Sequence, residues 1–299
     1  MMVRCLFIVL QQPLIFMIYK GERMKIIYAD LHSHTNHSDG LLEIDELLKL
    51  AQEAKIEVLA ITDHDTTDQY EEIREKAKEI GIKTIKGVEI SCYDYQVDKK
   101  VHIVALFLPD KTPNIDKLCG AFLEKRDANH RKLIKDLQDK GYDIDYKACK
   151  KFSPYSIVFK SNILEALNER YPEENFTFKE VFGSMKDKKK NLEMGYIDVE
   201  DGIKAALADG AIPILAHPCQ YENYPEVEKY VSFGLRGIEI SHRLMKEEDF
   251  DLTKDLAEKY DLIGSGGSDF HDPEKHKLGD FGLSKEEFDK LLEKSGKKL

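Results

Sequence analysis

The 299-residue chain predicts an α/β fold in which strands and helices alternate, the pattern that builds a parallel sheet with helical crossovers. Three observations predict it. Seven short apolar runs, at residues 25–31, 57–62, 83–90, 101–108, 212–216, 237–241 and 262–266, have the length of buried strands. Amphipathic stretches at helical spacing separate several of them. Side chains able to bind metal recur beside these runs, mostly at their carboxyl ends, where parallel α/β folds place their sites. Seven strands suggest a closed or nearly closed barrel, although an open doubly wound sheet gives the same local pattern.

Taken in order, the first helix buries Ile44, Leu47, Leu48 and Ala51 on one face, and the second Ile73, Ala77 and Ile80. Ile203, Ala206 and Leu207 do the same before the fifth strand. Gly81 and Gly210 stop two of these helices. Between about 113 and 195 the alternation breaks. A helix over 115–140 is predicted from Ile115, Leu118, Phe122, Leu133, Ile134 and Leu137, with Gly141 as its stop. A second is expected at 161–170, ended by Tyr171-Pro172, and a third near 178–185. The expected organisation is a barrel from 24–112 and 196–299, with a small helical insertion at 113–195 between strands four and five. The basic run at 186–190 reads as a solvated loop.

Residues 1–19 are apolar but interrupted by Gln11-Gln12-Pro13. The stretch is short for a membrane span and lacks a clear cleavage site. Residues 1–23 are therefore read as an upstream extension, with Met24 as the expected start and a membrane anchor as the alternative. The net charge of -11 and the absence of a long basic stripe argue against duplex nucleic acid. A small or single-stranded anion remains compatible if bound metal draws it in. Cys5, Cys92, Cys119, Cys149 and Cys219 form no CxxC pair and read as reduced thiols of a cytoplasmic protein.

The chemistry centres on the stretch from Asp30 to Gly40. In an extended segment His32 and His34 point the same way, and Asp39 follows on a loop that Gly40 lets turn back. Imidazoles and carboxylates are ligands for Zn, Mn or Fe. Later runs add His64 between Asp63 and Asp65, then Glu89, His102, His217, Glu239 with His242, and Asp269 with His271. Repetition across seven strands points to a polynuclear metal site. At least one of Asp63 and Asp65 is expected to orient an imidazole. His102 stands near the start of its run, so a histidine bonded to a backbone carbonyl is its alternative. His37 and His276 are expected in solvent.

These motifs, His32-Ser33-His34 with Ser38-Asp39-Gly40, Thr62-Asp63-His64-Asp65, Gly87-Val88-Glu89, Val101-His102, Ala216-His217-Pro218 and Gly267-Ser268-Asp269-Phe270-His271, resemble the PHP (polymerase and histidinol phosphatase) superfamily, and within it the TrpH-like phosphoesterases. The resemblance spans 25 to about 285. It implies a distorted seven-stranded barrel and up to three divalent ions per chain, with Mn favoured over Fe or Zn. By the same resemblance His32, His34, Glu89 and Asp269 hold one ion. Glu89, His102 and His217 hold a second, and Asp39, His64 and His271 a third. Arg126, Asn129 and Arg131 on the first inserted helix, with Lys160 and Asn162, are its expected substrate contacts.

The expected reaction is hydrolysis of a small phosphorylated nucleotide, such as a nucleoside 3',5'-bisphosphate, or of a short 5'-phosphorylated oligonucleotide, with single-stranded RNA ends among the partners considered. Metal-activated hydroxide would be the nucleophile, and Asp65 or His242 the proton donor to the leaving group. Histidinol-phosphate hydrolysis and a non-catalytic regulatory module are the alternatives. No membrane partner is expected, and the oligomeric state is left open.

Overall fold

The protein, seen in a computed structural model, is described over residues 26–183 and 188–299. The expected extension at 1–23 lies outside the described residues. The strands are β1 (Ala29–Asp30), β2 (Val58–Leu59), β3 (Lys83–Thr84), β4 (Gly87–Asp94), β5 (Lys99–Leu106), β6 (Ile197–Asp198), β7 (Ile212–Leu215), β8 (Gly237–Ser241) and β9 (Ile263–Gly266). The helices are α1 (Ile44–Glu53), α2 (Tyr70–Glu79), α3 (Pro113–Asp139), α4 (Tyr146–Lys150), α5 (Lys160–Arg170), α6 (Phe178–Phe182), α7 (Lys188–Met194), α8 (Val199–Ala208), α9 (Pro218–Tyr221), α10 (Val227–Phe233), α11 (Glu247–Lys259) and α12 (Lys285–Ser295). Among the described residues no helix is long and apolar enough to cross a membrane.

β3 and β4 form one stave. Ile85 N–H donates to Leu59 C=O at 3.0 Å and Glu89 N–H to Thr62 C=O at 3.0 Å, so both follow the same edge. The staves run β1, β2, β3 with β4, β5, β7, β8, β9. The ends then meet: Leu31 N–H donates to Gly266 C=O at 3.1 Å, and Asp269 N–H to His32 C=O at 2.8 Å. Ser33 also pairs in parallel with Phe270. These bonds close the seven-stave barrel and exclude the open doubly wound alternative.

The expectation of a uniformly parallel sheet fails at one stave. β5 folds straight back on β4, antiparallel from Gly87↔Leu106 to Asp94↔Lys99, and is antiparallel to β7 as well. Apolar runs signal strands but not their direction. The reversal carries the start of β5, rather than its end, to the edge where the other staves finish.

Side chains from β4, β5, β7 and β8 pack with α8 and α10 in one core cluster. α3 belongs to two cores. Ile115, Cys119 and Phe122 join that barrel cluster, whereas Ile134 and Leu137 pack with Val158, Ile163, Leu167 and Phe182 of the inserted region. α6 ends earlier than expected, at Phe182, because Gly183 turns the chain at φ 77°. The short helices α4 and α7 were not anticipated. The basic run is not simply a solvated loop: Lys188 opens α7, and the Lys190 ammonium donates to Phe182 C=O at 2.9 Å. Its residues 186 and 187 lie outside the described residues.

Candidate active site

His32 and His34 leave the end of β1 fully buried, with ring centroids 5.2 Å apart. The following loop folds back through Ser38 and Gly40 N–H groups, both donating to Thr35 C=O at 3.0 Å. Gly40 is needed for close approach: an added Cβ would lie 2.5 Å from the His34 carbonyl oxygen. Asp63 holds this loop in place. It accepts from Thr35 N–H (2.8 Å), Thr35 Oγ1 (2.7 Å), Ser38 Oγ (2.6 Å) and Gln69 Nε2 (2.7 Å), which saturates its lone pairs. Asp63 therefore positions the loop and not, as expected, an imidazole, and Asp65, which accepts from Ser91 N–H and faces Arg126, does not orient one either.

Glu89 is the hub. Its Oε2 lies 3.2 Å from His32 Nε2, 3.1 Å from His34 Nε2 and 3.4 Å from His64 Nδ1. Its Oε1 lies 2.7 Å from His102 Nδ1 and 2.8 Å from His217 Nε2. The contact to His102 removes the alternative of a backbone-bonded histidine. Burial alone would raise the Glu89 pKa, but the fields of His64, His32 and His102 outweigh it and hold the carboxyl well below its usual range. Asp269 is held well below its range in the same way, by His271 and His32 against burial. For His34, burial lowers the pKa, but the accepting carboxylates of Asp269 and Glu89 outweigh it and raise the pKa to about 10.

Three groups of side chains present ligand atoms that all lie within 4.8 Å of one another: His32, His34, Glu89 and Asp269; His34, Asp39, His64 and His271; and His64, Glu89 and His102. His217 joins through Glu89. The nine residues singled out in the sequence are thus brought together, with His34, His64 and Glu89 each shared between two groups. Several rings are oriented from behind. Glu239 Oε1 accepts from His32 Nδ1 at 2.8 Å, leaving Nε2 buried and without a hydrogen bond. The Asp269 carbonyl accepts from His271 Nδ1 at 2.9 Å, leaving Nε2 facing Asp39. Imidazole lone pairs and carboxylates converging with, among the described residues, one guanidinium on these clusters, Arg243 on Asp269 at 3.0 Å, fit divalent metal. Glu239, noted in the sequence only as a metal-competent side chain, serves as a positioning residue behind His32, and Arg243 was missed, since nothing local marks it.

Backbone conformation is unusual here. Asp65, His217 and Asp269 all have positive φ, at 60°, 26° and 49°, and such strain persists where surrounding structure over-determines it. Gly267 also lets two segments touch. An added Cβ would sit 2.5 Å from His32 Cβ and closer still to the His32 amide nitrogen. Gly267→Ala is expected to cost about 1–3 kcal/mol, as overpacking does, and to weaken metal retention by displacing His32. Chemical denaturation and elemental analysis check this; a wild-type midpoint and metal content would contradict it.

Beside the clusters lies a cavity of about 140 Å³, which Asp39, His64 and His102 reach from the barrel. Lys100, Arg126, Lys160 and Lys190 add four cationic side chains to its wall. Lys100 and His102 are two residues apart on β5 and share a face. Arg126 lies between the Phe122 and Phe159 rings, 4.6 and 4.9 Å from their centroids, and its NH2 is 3.2 Å from Asp65 Oδ2. Burial lowers the pKa of Lys160, as do the neighbouring cations. Tyr196 is lowered too: burial raises it, but Lys100, Arg126 and Lys160 outweigh that. Lys100, His130, Lys190, Tyr196 and Tyr221 line the cavity without having been anticipated, because they come from separate segments.

Other expected substrate contacts lie elsewhere. Arg131 is about half exposed, pairs with Asp127 at 2.7 Å and stacks on Tyr146. Asn129 turns toward Met194 C=O at 3.4 Å. Asn162 is fully buried, accepting from Phe159 N–H at 2.7 Å and donating to Phe152 C=O at 3.1 Å, so it secures the start of α5. His242 is fully buried as well. Leu244 N–H donates to its Nδ1 at 3.2 Å and its Nε2 faces Asp269 Oδ2 at 3.3 Å, which leaves no proton for a leaving group. Asp65 accepts from Ser91 N–H at 2.9 Å and faces Arg126, so it too is engaged. His37 and His276 are half-buried rather than in solvent. His37 stacks on Tyr155 at 4.3 Å, and His276 lies 6.3 Å from the His271 ring.

Comparisons with known proteins agree with this geometry. The PHP domain family model matches residues 30–145. A phosphoribosyl 1,2-cyclic phosphate 1,2-diphosphodiesterase from Eggerthella lenta is 33% identical over 248 residues, covering 81% of this chain and 93% of the relative. A 5'-3' exoribonuclease from Haemophilus influenzae is 28% identical over 251 residues, covering 82% and 90%. A solved structure from Bifidobacterium adolescentis, assigned as a metal-dependent phosphoesterase, superposes with a TM-score of 0.77 at 23% identity, covering 89% of this chain and 96% of that one. The chain belongs to the PHP domain family.

Proposed function

We propose that this protein hydrolyses a phosphate ester of a small ribose compound that carries a second phosphate, with nucleoside 3',5'-bisphosphates as the leading substrates. The chain is a metal-dependent phosphoesterase. The observation that carries the substrate reading is the wall of the cavity: Lys100, Arg126, Lys160 and Lys190 line the same cavity that Asp39, His64 and His102 reach. One phosphate at the metal ligands and another at the cations would satisfy both ends. The two curated relatives act, by name, on a phosphoribosyl cyclic phosphate and on RNA, which supports a ribose phosphate. The 33% identity to the first of them favours a cyclic ribose phosphate diester as the second reading.

His32, His34, Asp39, His64, Glu89, His102, His217, Asp269 and His271 are proposed to hold up to three divalent ions, with Mn favoured over Fe or Zn. Nitrogen and oxygen donors without thiolate suit these metals. Such ions neutralise the ester's charge and lower the pKa of water toward 7. Residues 24–112 and 196–299 would carry this chemistry and 113–195 the selectivity. The free thiols of Cys92, Cys119, Cys149 and Cys219 support a reducing, cytoplasmic setting.

Mn-reconstituted protein can be assayed on adenosine 3',5'-bisphosphate, AMP, a 5'-phosphorylated oligoribonucleotide, a ribosyl cyclic phosphate and histidinol phosphate. The bisphosphate is expected to exceed AMP by about tenfold or more in kcat/KM, since a charge-assisted contact contributes about 1.5–3 kcal/mol. Equal rates on both, or best turnover of histidinol phosphate, would overturn the two-phosphate reading.

A further inference from the structure

His130 stands on α3 one turn beyond Arg126, in the cavity wall and almost fully buried. Its Nδ1 lies 2.6 Å from the Val158 carbonyl oxygen. A carbonyl only accepts, so Nδ1 must carry the proton in this contact. Burial, with the positive charges of Arg126 and Lys160, pushes the pKa of His130 down to about 3. The ring is therefore neutral near pH 7, and its Nε2 is a bare acceptor. No hydrogen bond to that atom exists among the described residues.

The surroundings decide what such an acceptor can take. Lys100, Arg126, Lys160 and Lys190 disfavour a cationic donor nearby and favour phosphate. A neutral hydroxyl is the remaining donor that suits Nε2. Residues four apart on a helix stand roughly 6 Å from each other, so Arg126 and His130 can meet a phosphate and a hydroxyl on one small sugar. The free sugar hydroxyl of a nucleoside 3',5'-bisphosphate is the ribose 2'-OH.

We propose that His130 Nε2 accepts a hydrogen bond from the substrate's ribose 2'-hydroxyl and makes the site selective for ribo- over 2'-deoxyribo- phosphate esters. This rests on the two-phosphate reading above. An apolar replacement of that hydroxyl leaves a buried acceptor unpaired, which makes discrimination steep.

The test compares adenosine 3',5'-bisphosphate with its 2'-deoxy and 2'-fluoro-2'-deoxy analogues. Wild-type protein is expected to favour the ribo compound by about ten- to hundredfold in kcat/KM and to reject both analogues alike, because fluorine cannot donate. In His130→Phe the ribo-to-deoxy ratio should fall to near one, a change that a merely structural role would not produce. Metal content and circular dichroism accompany the variant. A ratio that persists in His130→Phe overturns the proposal. Should that variant not fold, the wild-type data still decide: equal turnover of the ribo and 2'-fluoro compounds overturns it. Turnover of all three at the same rate refutes the role of His130 but leaves the two-phosphate reading standing. Turnover of none refutes that reading itself.

Discussion

Glu89→Gln is expected to strip the centre of most of its metal and to lower kcat/KM by at least about 100-fold. The substitution keeps shape and removes charge. Five imidazoles surround this one carboxylate, all within 3.4 Å. Its negative charge is the feature that two of the three ligand groups share through a single side chain. An amide would turn N–H donors toward positions meant for cations. Changes to residues merely behind a metal ligand cost about 10–100-fold in affinity or activity, and a residue at the centre should cost no less. Elemental analysis with steady-state kinetics reads both effects. Wild-type metal content together with wild-type rate would refute the role given to Glu89.

Arg126→Ala is expected to be the most destabilising change at the cavity, by about 3–5 kcal/mol. Arg126 and Asp65 are both buried, and their contact at 3.2 Å has little solvent screening. Burial already raises the Asp65 pKa, while Arg126 opposes it. Removing the guanidinium leaves that carboxylate without its cation, and two aromatic rings lose the group stacked between them. A second substitution separates folding from function. In the Arg126→Ala, Asp65→Asn double variant much of the lost stability should return, because the stranded charge is gone. KM for the bisphosphate should remain raised, because the phosphate contact is still missing. Denaturant midpoints and kinetics on both variants test this. Full recovery of KM in the double variant would show that Arg126 serves only the fold.

The clustering of the candidate ligands was legible in the sequence because metal chemistry restricts residue types, and strand ends impose a rhythm on where they fall. His102 shows the limit. Its position near the start of an apolar run looked anomalous, and the anomaly disappears once β5 runs antiparallel and Ser91 lies opposite His102. Direction comes from chain connectivity, which periodicity does not encode. The paired stretches are also shorter than the runs that announced them: 25–31 yields only Ala29–Asp30 as ladder. Beyond the ladder Ile27 and Leu31 stay buried, so burial outlasts pairing there, whereas Ile26 is exposed.

The cavity wall was legible only in part. Arg126 and Lys160 followed from the resemblance, yet Arg131, five residues beyond Arg126 on the same helix, faces solvent. Helical phase separates them: five residues turn the helix through about 500°, or 140° away from the starting face. Asn162, Glu239 and His242 could not be assigned from residue type, since their roles depend on which atoms neighbouring segments bring to them.

α3 spans 27 residues without interruption, a length of about 40 Å. One end is sealed into the barrel and the other into the inserted core, with Arg126 and His130 between. A continuous rod has no hinge at that point, so the cationic wall stands at a set distance from the metal-binding edge. Such a site acts as a ruler. It would grade candidate substrates by the span between their two phosphates, and a molecule with both charges but the wrong spacing would fail to register.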